Sequence, residues 1–144
     1  MKPRLHLVLL FVLILSLSGC AVTPQRETTM IEDLEPQSAL RFSDVPTPEG
    51  FNILPQESFI LEGEGTRAGL LKYTGEAELE DVVYFYKNRM SAYNWDLLNV
   101  VEYGDRMLNF ERGNESCIIT LKQKGPSVEI LVSVSPESPI SVSE

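Results

Sequence analysis

The stretch AELEDVVYFYKNRMSAYNW, residues 77–95, decides how the rest of the chain is read. Leu79, Val82, Val83, Tyr86, Met90 and Tyr93 recur at helical spacing, so Ala77 to Tyr93 is expected to form one helix with a single apolar stripe. Glu76, Glu78, Glu80 and Asp81 crowd its start, where the helix dipole favours negative charge, and Lys87 and Arg89 lie nearer its end. Asn94 suits the left-handed stop position, after which Trp95 returns toward a core. The acidic cluster offers the oxygen ligands that Ca²⁺ takes, but it lacks the glycine-punctuated loop of a dedicated site. No metal and no other cofactor is therefore expected. Tyr84, Tyr86 and Tyr93 read as core and rim rather than as a platform for a ligand.

Beyond the helix the period changes from helical to alternating. Asp96 to Tyr103, Arg106 to Arg112, Glu115 to Lys122 and Ser127 to Ser135 read as strands. They are separated by Gly104-Asp105, Gly113-Asn114 and Lys124-Gly125-Pro126. Val128, Ile130, Val132 and Val134 alternate with Glu129, Leu131 and Ser133, so one face is buried. Cys117, Ile119 and Leu121 alternate in the same way, which places the Cys117 thiol inside. Before the helix, Phe59 to Glu62 and Ala68 to Thr74 read as two further strands. The glycines between them, Gly63, Gly65 and Gly69, are one residue too widely spaced for a dinucleotide fingerprint. A strand rather than a helix follows them, so a hairpin is expected. The whole pattern implies an α+β fold, with one amphipathic helix packed on a twisted antiparallel sheet in two layers.

Further upstream, Asp44-Val45-Pro46-Thr47-Pro48-Glu49-Gly50-Phe51 reads as an extended lead-in, its alternate prolines holding the chain straight. It is expected to dock Val45, Phe51 and Leu54 onto the domain. Residues 21–44 show no sustained period, and Pro36 ends the one weak turn that Met30, Ile31 and Leu34 suggest. They read as a flexible spacer. At the start, Lys2 and Arg4 precede an apolar run from Leu5 to Leu17 that is interrupted by His6 and Ser16. The run is too short to span a membrane and ends in small residues, as export signals do.

That ending, Leu17-Ser18-Gly19-Cys20, resembles the lipobox of bacterial lipoproteins. The resemblance implies that Cys20 is lipidated and that residues 1–19 are removed as a signal peptide. The mature protein is then held to membrane lipid by its acyl chains. Residues 20–44 would form a lipidated flexible tether, 45–135 a single α+β domain and 136–144 a disordered tail. Ala21 in place of the Asp that favours inner-membrane retention implies the outer membrane, on its periplasmic side, in a Gram-negative envelope. Residues 45–134 are also similar to small bacterial envelope lipoproteins. The shared features are the Val-Pro-x-Pro-x-Gly-Phe lead-in of residues 45–51, the pair Phe85-Tyr86, Met90 and Trp95. This second resemblance implies no activity.

Composition narrows the function classes. The chain has 12 basic and 21 acidic residues. Without Lys2 and Arg4 that leaves 10 basic against 21 acidic, a net charge of −11. Such a balance argues against nucleic acid and against adhesion to anionic head groups. The single histidine, His6, lies in the signal, so the mature chain has no histidine for a catalytic triad or an HExxH zinc site. Cys117 has no neighbouring base in sequence and is expected to be buried. No catalytic residue is assigned. The expected function is that of a non-catalytic interaction or accessory module bound to an envelope protein. The alternative is a peptidoglycan hydrolase using paired carboxylates.

Overall fold

The computed structural model describes residues 31–37, 41–63 and 66–137. Seven strands form one antiparallel sheet: β1 (Asn52–Ile53), β2 (Phe59–Gly63), β3 (Thr66–Glu76), β4 (Asp96–Tyr103), β5 (Asp105–Arg112), β6 (Glu115–Lys124) and β7 (Ser127–Pro136). The order is β1-β3-β7-β6-β5-β4, with β2 sharing the β1 side of β3. A single α-helix among the described residues, α1 (Leu79–Arg89), lies against β6. The fold is α+β, as the periodicities imply.

The register explains the core. Leu71, Val132, Ile119, Leu108 and Val100 stand opposite one another across β3, β7, β6, β5 and β4. Because side chains alternate along each strand, that row and its second neighbours share one face. There Leu71, Tyr73, Val128, Ile130, Val132, Val134, Cys117, Ile119, Leu121, Leu108 and Phe110 are buried. The helix contributes Val82, Val83, Phe85, Tyr86 and Met90 to the same cluster, with Leu79 and Tyr93 half-buried beside it. Phe85, outside the stripe read from the sequence, is buried too, edge-on to Tyr86 with ring centroids 5.2 Å apart.

The α-helix is shorter than Ala77–Tyr93. It stops at Arg89 and tightens into a 3₁₀ turn over Met90–Tyr93, which Asn94 closes at φ +63°. Trp95 then enters the core as expected. The β4–β5 connection is one residue tighter than the expected Gly104-Asp105 pair. Asp105 already belongs to β5 and pairs with Tyr103, leaving Gly104 alone at φ +73°. The glycine-spaced segment joins β2 and β3 as an antiparallel hairpin from the pair Gly63–Thr66 onward.

The lead-in is bound to the sheet by shape. A Cβ placed on Gly69 would come within 2.6 Å of the Phe42 ring, and one on Gly75 within 2.7 Å of the Phe51 ring. Both phenylalanines are buried and rest where β3 has no side chain. Val45 is buried as well, and Leu54 is half-buried.

This docking moves the expected start of the ordered domain. Residues 31–37 and 41–44, read from the sequence as part of a flexible tether, pack on the domain instead. The Gln37 amide donates to Thr47 O at 2.6 Å, and its side chain donates to the carbonyls of Pro48 and Phe51. Asp81 Oδ1 accepts from the Glu32 amide at 2.9 Å. The physical reason is that this segment's bonding partners lie in the domain, so its own lack of periodicity says nothing about its order. Pro136 and Glu137, expected in the disordered tail, instead continue the ordered chain: Pro136 ends β7 opposite Glu115, and the Glu137 amide donates to Asn114 O at 2.6 Å. The expected signal peptide and lipobox with Cys20, and residues 138–144, lie outside the described residues.

Candidate interaction surface

The two ends of the buried face differ in chemistry. At one end the inward positions are Arg67 on β3, Glu115 on β6 and Arg112 on β5, in the same alternation as Leu71, Cys117 and Phe110. Asp44 of the lead-in completes an alternating quartet. Arg67 donates to Asp44 at 2.6 and 2.7 Å and to Glu115 at 2.6 Å. Arg112 donates to Glu115 at 2.6 Å and also pairs with Asp44. Two charges of each sign cancel, and each side chain is only about a fifth to a quarter exposed.

Aromatic rings cover the quartet. The Arg112 guanidinium stacks 4.5 Å from the Trp95 ring, and Arg67 lies 5.3 Å from Phe42. Trp95 Nε1 donates to the carbonyl of Asp44 at 2.8 Å. Burial alone would push the two carboxyls up, but hydrogen bonds and charge from Arg67 and Arg112 outweigh it and hold both below the usual range. Asp44 and Glu115 are therefore fixed as anions. A glycosidase acid needs the opposite shift. The quartet closes the core and clamps the lead-in across β3, β5 and β6.

Cys117 is buried beside this cluster, and burial pushes its thiol up to about 12. The Tyr86 hydroxyl is fully buried with no hydrogen-bond partner among the described residues. Burial raises it well above the ordinary tyrosine value. Neither group is poised to react.

Two of the four acids at the start of the helix are tied down. Glu80 pairs with Arg106 at 2.7 Å, and Asp81 is buried against the Glu32 amide. Among the described residues no group of His, Cys, Asp and Glu is arranged to hold a metal. Tyr84 is exposed, Tyr93 half-buried and Tyr86 core, so the three tyrosines do not gather into one platform.

The opposite face of the sheet is open. Phe59, Leu61, Ile118, Met107, Val101 and Tyr103 are exposed there, interleaved with Lys72, Thr120, Asn109 and Asn99. The register carries this band from β2 to β4 through Phe59–Leu70, Asn109–Ile118 and Val101–Met107. At the far edge β4 has only β5 as a neighbour among the described residues, and its outer backbone groups have no strand partner there. A shallow groove of about 340 Å³ lies near the other edge, lined by Arg41, Ile53, Pro55, Phe59, Ile60 and Leu71.

A family model described as START domain-like matches residues 56–138, more than half of the chain. The chain belongs to the START domain-like family. The matched region of this START-like domain spans β2 to β7 with α1 and begins after β1. Phe42, Asp44 and Phe51, which lock the lead-in, lie outside it. No curated protein and no solved structure matches the chain.

Arg67, Arg112 and Glu115 were missed as a cluster by sequence reading, although a signal existed. Arg112 and Glu115 fall on inward-facing positions of the strands read from the sequence, where an unpaired charge costs several kcal/mol and so demands a partner. Arg67 lies before the expected strand Ala68–Thr74 and joins them because β3 begins at Thr66.

Proposed function

We propose that the protein is a membrane-anchored envelope lipoprotein whose START-like domain is a non-catalytic interaction module. In this reading the domain has two layers, with the amphipathic helix covering one face of a twisted sheet and the other face left for a partner. The contrast between the faces carries the proposal. One is filled with side chains and closed at one end by a neutral ion quartet. The other presents exposed apolar side chains beside an unpaired strand, which are the raw materials of protein recognition.

The anchor rests on Leu17-Ser18-Gly19-Cys20 and the basic, apolar run before it. Lipid on Cys20, with Ala21 next to it, would hold the mature protein on the periplasmic side of an outer membrane, and two acyl chains suffice for stable anchoring. Packing of the chain from Ile31 onward leaves ten residues between Cys20 and the domain, a reach of about 40 Å at most. The partner is then another envelope protein close to the bilayer, and not nucleic acid, which an acidic chain repels.

Two tests separate this reading from its rivals. Cys20→Ser should abolish incorporation of labelled palmitate and leave an unprocessed precursor; labelling that persists would remove the anchor from the account. Single conversions of Glu62, Glu76, Glu80 and Asp105 to their amides should each leave cellular function largely intact. One such variant that is stable, anchored and wholly inactive would argue for the carboxylate hydrolase, since a lost general acid costs about 10²–10⁴ in rate.

A further inference from the structure

The open edge strand carries a pattern that specifies its partner. β4 reads Asp96-Leu97-Leu98-Asn99-Val100-Val101-Glu102-Tyr103, with no Lys, Arg or Pro. Of the devices that protect natural edges it carries one bulge and the inward-facing Glu102, and the run Asn99–Val101 is bare of both. Its only irregularity is a bulge between Leu97 and Asn99, after which the ladder to β5 is regular up to Tyr103. Leu98, Val101 and Tyr103 are 54, 49 and 92% exposed. On the open face the successive β4 positions are Tyr103, Val101, Asn99 and, past the bulge, Asp96. They run apolar, apolar, polar, acidic.

The acidic end is unrelieved. Asp96 stands directly opposite Glu111 on β5, and like charges at such a pair destabilise a sheet. Among the described residues, neither carboxylate forms a salt bridge. The other β4 acid, Glu102, lies 3.8 Å from Lys87.

We infer that β4 accepts an extended segment of a partner protein as an eighth, antiparallel strand, with a Lys or Arg of that segment placed beside Asp96 and Glu111. Backbone hydrogen bonds to the free edge supply affinity, and alternate side chains supply selection. The partner segment reads apolar-x-apolar-x-polar-x-basic from its N-terminal end. A second copy of this chain fits less well, because its β4 has no basic residue to set against Asp96. A lipid surface cannot satisfy a row of strand amides and carbonyls. This inference rests on the interaction reading above and specifies the chemistry of the partner.

The test uses the full-length chain in detergent and the fluorescent peptide TVTVTQTRT as probe. Anisotropy should show saturable binding, and replacing the arginine by glutamate should weaken it about fivefold. Asp96→Lys should reverse that preference. Methylating the peptide's alternate backbone nitrogens should abolish binding without touching the protein, so misfolding cannot mimic the result. The inference is overturned if the methylated peptide binds equally well, or if the arginine and glutamate peptides do not differ. It is also overturned if no peptide binds up to about 1 mM, or if the wild-type chain instead dimerises through β4. Crosslinking of an envelope protein from Val101 in cells, combined with no arginine preference, would keep the interaction reading and discard this partner chemistry.

Discussion

The two faces of this sheet are made by the same alternation and end in opposite conditions. On one face the alternate residues of β3, β5, β6 and β7 are buried through the middle of the sheet, and the charged positions at one end are paired and stacked. On the open side the alternate residues include apolar ones of similar size, yet nothing in the described chain covers them. Alternation therefore says which residues share a face, while the supply of covering segments decides which face becomes a core. Here buried residues of α1, Trp95 and the lead-in share one cluster with the buried strand positions.

The largest contrast should appear in thiol chemistry. Cys117 points into the closed face, so under native conditions it should react with a thiol reagent at least about a thousandfold more slowly than in denaturant, because access requires unfolding. A cysteine introduced at Val101 on the open face should label at once. Fast native labelling of Cys117 would break the comparison by showing the register shifted by one residue.

Truncating the cover comes next. Trp95→Ala removes a buried ring that stacks on Arg112 and bonds to Asp44, and should cost about 3–5 kcal/mol in urea unfolding. As Trp95 is the only tryptophan, circular dichroism has to follow that variant. Gly69→Val should cost about 1–3 kcal/mol by displacing Phe42.

The quartet gives a smaller, pH-dependent effect. Asp44 and Glu115 titrate lower when folded than when unfolded, so they add stability above their unfolded values, near about 4. That contribution is lost as the pH falls through their folded values. Asp44→Asn should cost about 1–3 kcal/mol at neutral pH and flatten the acid limb of the stability profile, measured by urea midpoints at successive pH values. An unchanged acid limb would show that the clamp contributes nothing.

Much of this was legible in advance, and the misses have physical causes. The alternation in residues 115–134 places Cys117 inside, and the helical period from Leu79 to Tyr93 places Val82, Val83, Tyr86 and Met90 in the core. The docking of Phe42 was not legible, because it depends on Gly69 lying opposite it in space, 27 positions along the chain. The ordering of residues 31–37 was hidden for the same reason, since Gln37 and Glu32 bond to partners outside their own segment. The open edge was legible as a strand but not as an edge, because strand order is a property of the sheet. Cys20 belongs to sequence reading alone.

The smallest expected change in stability, and the most telling, is at the open edge. Val101→Arg should shift stability by no more than about 0.5 kcal/mol, since the side chain is already half exposed. The same position offers the most direct measurement of the central claim. A photo-crosslinking residue placed at Val101 in intact cells should capture a discrete envelope protein, while one at Tyr84, exposed on the helix, should capture none. Equal capture from both positions, or none from Val101 with the protein stable and anchored, would contradict the assignment of the open face and its edge as the working surface.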